Sequence, residues 1–150
     1  MVFKVNISDK GGKTYKVETE GESLIGKSLK DKIDGKDVSP DLAGYELEIT
    51  GASDKAGFTA MEDVEGIGLK KVLLTYGKAM HKRQRREGKK KISNPYPGGL
   101  RKRKTVRGKV ISESISQINT RVLKEGSKKL EEVFKKAEAP AETPKEAPTQ

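Results

Sequence analysis

The sequence predicts a mostly-β protein: a small β-barrel-like body with a long basic loop and a short C-terminal α-helix. Three observations lead there. In the first half, apolar residues alternate with polar ones at a period of two, the signature of half-buried strands. Glycines at 21, 26, 35, 44, 51, 57, 66, 68 and 77 recur too often for long helices, and short strands at that spacing suit a small barrel or sandwich. Positive charge is concentrated in one later stretch whose prolines and glycines forbid a continuous helix.

Taken in order, Phe3, Val5 and Ile7 alternate with Lys4 and Asn6, and Tyr15 and Val17 alternate with Lys16 and Glu18. Asp9-Lys10-Gly11-Gly12 between them supplies the positive-φ freedom of a hairpin turn. Ile25, Leu29 and Ile33 are spaced for one short helical face. Tyr45 to Thr50 alternates again and Gly51 ends it. Val72-Leu73-Leu74, within Leu69 to Tyr76, suits a strand covered on both faces. Ile111, Ile115, Ile118 and Val122 fall at helical steps of 4, 3 and 4, although the same region would serve two short strands. Leu130, Val133 and Phe134 form a helical stripe behind a Ser127 cap. From Ala137 only Ala, Glu, Pro, Thr, Lys and Gln remain, a composition that buries too little surface to order itself. The expected organisation is a body at 1–77, a basic segment at 78–108, returning strands and a short helix at 109–136, and a disordered acidic Pro/Ala/Glu tail at 137–150.

Composition sets limits on function. Hydrophobic residues make up 32% of 150 residues, with no Trp, so any core is small and aliphatic. With no cysteine there is no disulfide, thiolate nucleophile or Cys-based zinc site, which fits a reducing cytoplasm. The N-terminus alternates like a strand and lacks the apolar core of a signal peptide, and no window approaches a membrane span. The expectation is a soluble intracellular protein without membrane partners. A net charge of +10 and a pI near 9.7 call for an acidic partner, nucleic acid first.

That charge is unevenly placed. From Lys78 to Lys109 fourteen Lys or Arg stand against Glu87 alone, a local +13, which leaves the rest of the chain at −3. One cluster carries Lys82, Arg83, Arg85, Arg86, Lys89, Lys90 and Lys91; the other carries Arg101, Lys102, Arg103, Lys104 and Arg107. Asn94-Pro95-Tyr96-Pro97-Gly98-Gly99 separates them, so the stretch reads as a loop able to lay cations along a phosphate backbone. Arginine pairs bidentately with phosphate, lysine acts as a point charge, and Tyr96 is placed to stack on an unpaired base. A short basic run is often only a solubilising surface, but so many confined like charges repel strongly unless a polyanion neutralises them. No apolar face accompanies the charge, which disfavours a membrane.

Catalytic patterns are missing. His81 is the only histidine and sits inside the basic run, with no second imidazole for a metal. Gly66-Ile67-Gly68 lacks the third glycine of a dinucleotide loop and reads as a turn, and there is no GxxxxGK[ST]. Asp9, Asp54 and Asp63 lie in glycine-rich turns, where aspartate more often forms the turn than binds a metal. The expectation is a non-enzyme with no cofactor, metal or small-molecule substrate.

Two segments resemble a known family. Thr50-Gly51-Ala52-Ser53-Asp54-Lys55-Ala56-Gly57-Phe58-Thr59-Ala60-Met61 resembles the "GG-D-K-GFPM" segment of the S-six-e family of archaeal and eukaryotic small-subunit ribosomal proteins. Arg101-Lys102-Arg103-Lys104-Thr105-Val106-Arg107-Gly108 resembles its "RKRK-S/T-VRG" signature, and the opening Met-Val-Phe-Lys-Val-Asn-Ile-Ser is similar too. The resemblance covers about residues 1–126. It implies a structural constituent of the small subunit, in the cytoplasm, that binds ribosomal RNA beside neighbouring ribosomal proteins. It also implies strands over 109–124, against the helical spacing. Carried over residue by residue, RNA contact falls on Arg101, Lys102, Arg103, Lys104 and Arg107; its extension to Lys82–Lys91 rests on charge.

Ala52, Thr59 and Ala60 depart from the family pattern without removing charge. Eukaryotic members run on into a basic C-terminal region with phosphorylated serines, whereas this chain has no serine beyond Ser127, so that signalling role is not carried over and the chain looks archaeal. The rivals are a basic DNA-binding chromatin protein, for which no helix-turn-helix pattern is present, and an accessory subunit of an RNA-processing enzyme. On the sequence alone, Arg103→Glu combined with Arg107→Glu is expected to weaken incorporation into subunits and leave the fold intact.

Overall fold

The computed structural model describes residues 2–81, 99–126 and 128–137. Seven strands and a helix follow one another: β1 (Phe3–Ser8), β2 (Thr14–Thr19), β3 (Lys32–Asp34), β4 (Glu46–Asp54), β5 (Leu69–Thr75), β6 (Arg101–Arg107), β7 (Ile115–Lys124) and α1 (Leu130–Ala137). Five strands make one sheet in the order β2-β1-β7-β4-β3, and β5 with β6 makes a separate two-stranded ribbon.

The first hairpin forms as its pattern requires. Gly12 takes φ +84° in the turn, and the turn closes with Asp9 N–H on the Lys13 carbonyl at 2.9 Å. Phe3, Val5 and Ile7 are fully buried, while Tyr15 and Val17 pack from the edge. β7 lies between β1, to which it is parallel, and β4, to which it is antiparallel. Residues 115–124 therefore sit at the centre of the sheet begun by 1–54.

β7 also explains the helical spacing. Ile118, Thr120 and Val122 alternate inward as a strand should, opposite Ala52, Ile49 and Leu47. Between Ile115 and Gln117 the register against β4 slips by one residue, a bulge that turns Ile115 inward as well. The three-residue step from Ile115 to Ile118 is a strand with a bulge, not a helical turn.

The body is not a closed barrel. β2 and β3 are the sheet's two edges and do not pair with each other, and β3 is only three residues long. The apolar face is covered by short 3-10 turns, loops and α1 instead: Leu24, Leu29, Val38, Leu42, Ile111 and Leu130 complete the core. The expected helical face at Ile25, Leu29 and Ile33 does not form. Gly26 and Lys30 both take positive φ, Ile25 is exposed, and Ile33 belongs to β3.

α1 sets Phe134 against Tyr15, ring centroids 4.8 Å apart, and the Tyr45 hydroxyl donates to the Lys128 carbonyl just before it. The expected cap Ser127 and residues 138–150 of the expected tail lie outside the described residues, while Ala137, assigned to that tail, ends α1. On the outer face, Glu46 pairs with Lys32 at 3.3 Å and Lys124 at 2.7 Å, and Glu48 with Arg121 at 2.6 Å.

Candidate nucleic-acid interface

The ribbon pairs Leu69 with Arg107 at its base and Thr75 with Arg101 at its tip. Its two faces differ. Val72, Leu74, Lys102, Lys104 and Val106 share one face, where Leu74 and Val106 pack with Val64 and the fully buried Met80. That small cluster covers one side only. Leu73, on the other face, is 54% exposed, so the expectation that β5 is covered on both faces is corrected.

Within β5 and β6 there are seven Lys or Arg and no acid. Exposure falls along β6 from tip to base: Arg101, Lys102 and Arg103 are exposed, Lys104 and Thr105 are half-buried, and Val106 and Arg107 are buried. The cations accordingly have different uses. Lys70 donates to the Glu65 carbonyl at 3.1 Å, and Lys104 to the Ala79 carbonyl at 2.8 Å. Lys71, Arg101, Lys102 and Arg103 have no ion pair among the described residues. Lys71 pairs with Thr105 and Leu73 with Arg103, which places Lys71, Arg101 and Arg103 on the open face beside Leu69 and Leu73.

Arg107 is different. Its guanidinium meets the Asp54 carboxylate at 2.6 Å and donates to the Ile67 carbonyl at 3.1 Å, with both side chains of the ion pair 10% exposed. Burial by itself pushes the Asp54 carboxyl up, but the Arg107 hydrogen bond and charge, with the backbone N–H groups of Lys55 and Ala56, hold it below the ordinary carboxylate value. Arg107 Nε is buried without a partner among the described residues. The cation of Arg107 is thus already neutralised inside the fold, and the contact with RNA expected of it requires that ion pair to open. Charge counting could not separate it from Arg103; only its position at the buried end of β6 does.

The basic chain between the strands departs and returns at the ribbon's tip. Gly77 and Met80 form a bridge just past β5, with Ala79 at φ +63°, and Leu100 precedes β6. His81 lies edge-on to Tyr76 at 6.0 Å between ring centroids. Lys82, Arg83, Arg85, Arg86, Lys89, Lys90, Lys91 and Tyr96 lie outside the described residues. The sequence reading missed Lys71, which belongs to the strand before the basic stretch and is brought to it only by pairing. Among the described residues, no cluster of three or more His, Asp or Glu is arranged to hold a metal ion. No described helix is long and apolar enough to cross a membrane.

What the arrangement offers is an acid-free strip with Lys71, Arg101 and Arg103 along its open face and Lys102 on the other, none of them ion-paired among the described residues, suited to contact with phosphates. Residues 3–135 match the family model described as ribosomal protein S6e. A Methanococcus maripaludis protein named small ribosomal subunit protein eS6 is 43% identical over 128 residues, covering 85% of this chain and 91% of that protein. Proteins of the same name from Archaeoglobus fulgidus and Thermoplasma acidophilum are 42% and 41% identical, over 92% and 82% of this chain and 99% and 89% of their own lengths. With the match spanning nearly the whole described chain, and both signature segments inside it, this protein belongs to the ribosomal protein S6e family.

Proposed function

We propose that this chain is a structural constituent of the small ribosomal subunit, where it binds and stabilises ribosomal RNA by neutralising phosphates in support of translation. The observation that carries the reading is the ribbon's charge: seven cations without an acid, four of them exposed and without an ion pair among the described residues. The family match supplies the context, a cytoplasmic ribosome with ribosomal RNA and other ribosomal proteins as neighbours. Arg101, Lys102, Arg103 and Lys71 are the proposed phosphate ligands of the ribbon. Lys82 to Lys91 extend them on charge alone, and Tyr96 is the proposed stacking residue. Lys104 has to give up its carbonyl partner to join them. The chromatin and RNA-processing rivals draw no support from the family.

The test is sucrose-gradient sedimentation of native extract at low and moderate salt, with the wild-type chain and Arg101→Glu/Arg103→Glu compared. The wild type should travel with the small subunit and the variant should stay near the top while remaining folded. Normal incorporation of the variant would remove the ribbon from the binding site. A wild-type chain at the top of the gradient would overturn the ribosomal reading itself.

A further inference from the structure

The two segments that carry the family signature, around Asp54 and around Arg107, touch each other. We infer that the Asp54–Arg107 ion pair is a positioning joint that aims the cationic ribbon, so that Asp54, an acid, strengthens binding to a polyanion. This rests on the proposed RNA-binding role of the ribbon.

The ribbon needs such a joint. A two-stranded sheet alone is marginal in water, and β5–β6 shares no ladder with the five-stranded sheet. Its backbone attachments to the chain that follows β4 lie at the Arg107 end, while past the tip Lys78 donates to the Thr50 carbonyl of β4 at 3.2 Å. Arg107 N–H donates to the Thr59 carbonyl at 3.0 Å, and Met61 N–H to the Arg107 carbonyl at 3.0 Å. Asp54, the last residue of β4, reaches from the main sheet to the ribbon's base as a charged hydrogen-bond partner. It is itself fixed by the turn it opens, in which Asp54 N–H donates to Phe58 at 3.0 Å and Gly57 N–H to Asp54 at 2.9 Å.

Leverage makes the joint matter at the tip. From Arg107 to Arg101 the strand rises about 20 Å at 3.4 Å per residue. A tilt of about 10° at the base therefore moves the tip cations about 3.5 Å, the difference between a phosphate hydrogen bond and none.

The competing role for this pair makes an opposite forecast. Were Arg107 a phosphate ligand held in reserve, removing the Asp54 charge would free a cation and tighten RNA binding. A joint predicts weaker binding although the protein has become more positive. The experiment is titration of the full chain against transcribed small-subunit ribosomal RNA, well below the thermal transition. Wild type, Asp54→Asn, Arg107→Lys and Arg101→Glu/Arg103→Glu are compared at several salt concentrations. We expect Asp54→Asn to bind about tenfold more weakly. Its salt dependence should be shallower by about one phosphate contact, a slope change of about 0.7–0.9.

Amide exchange in β1 and β7 should stay native in Asp54→Asn. If that variant does not fold, Arg107→Lys carries the test: it keeps the charge but loses the forked contact to Asp54 and Ile67, and should also bind more weakly. Equal or tighter binding by a folded Asp54→Asn, or by Arg107→Lys where Asp54→Asn fails to fold, overturns the joint. Failure of the wild type to prefer ribosomal RNA over a random duplex, or no loss in Arg101→Glu/Arg103→Glu, overturns the RNA-binding reading instead.

Discussion

Gly108→Ala isolates what holds the two chains together at the ribbon's base. A Cβ on Gly108 would stand 1.9 Å from the Gly66 carbonyl oxygen and 2.6 Å from its carbon. Both obstacles are backbone, so no rotamer relieves the contact; reaching the shortest tolerable separation of about 3.0 Å needs a retreat of about 1.1 Å. Three hydrogen bonds cross this gap: Gly108 N–H to Gly68 at 3.0 Å, Lys109 N–H to Val64 at 2.8 Å and Val110 N–H to Gly66 at 3.3 Å. At about 1 kcal/mol each, their loss amounts to about 3 kcal/mol, a large share of the 5–15 kcal/mol typical of a domain. Guanidinium unfolding of the full chain should show a lower midpoint with the slope unchanged. Gly68→Ala is the control on the facing segment, because nothing lies within 4 Å of its added Cβ and its φ is not left-handed. It should be within about 1 kcal/mol of wild type. A Gly108→Ala protein as stable as that control would refute the close backbone approach.

Arg103→Glu and Arg107→Glu, alike by charge, should part company: the exposed substitution changes stability by less than about 0.5 kcal/mol. The buried one leaves two carboxylates facing each other and costs about 3–5 kcal/mol, read by thermal melting. Acid should destabilise the fold through Asp54, Glu46 and Glu62, whose carboxyl pKa values are all depressed. For Asp54, burial opposes this but Arg107 and backbone N–H groups outweigh it; Lys124 and then Lys32 depress Glu46, and Lys78 chiefly depresses Glu62. A depressed carboxylate stabilises the fold above its unfolded pKa of about 4 and loses that contribution as pH falls through its folded value. Stability should therefore drop below about pH 4, and Asp54→Asn should flatten the profile there; an unchanged profile would count against the buried pair. Ile118→Ala, in the central strand and fully buried, should cost about 2–5 kcal/mol in denaturant unfolding.

Much of this architecture is written locally. Phe3-Val5-Ile7, the Asp9–Gly12 turn and Tyr15-Val17 specify a hairpin because period and turn chemistry agree over a few residues. The region from Ile111 to Val122 was ambiguous because a bulge changes the side-chain phase in mid-strand, and only pairing with β4 reveals it. Barrel closure depends on what covers the inner face. Leu24, Val38 and Leu42 do so from three-residue 3-10 turns and the chain beside them, too short to show a period. At the interface, charge density located the basic stretch but could not divide its members. Arg103 and Arg107 are four residues apart in one strand, yet one meets solvent and the other meets Asp54, fifty-three positions earlier in the chain. Lys71 was invisible for the converse reason, since only Lys70 adjoins it in sequence whereas pairing sets it beside the cations of β6.

Ultraviolet cross-linking of purified small subunits, followed by mass spectrometry of this chain, tests the central claim most directly. Nucleotide adducts are predicted on peptides covering 69–75 and 99–106, with none on the β2 peptide covering 14–19. Adducts confined to the five-stranded sheet, with the ribbon unmodified, would contradict the assignment of the ribosomal RNA contact to the ribbon.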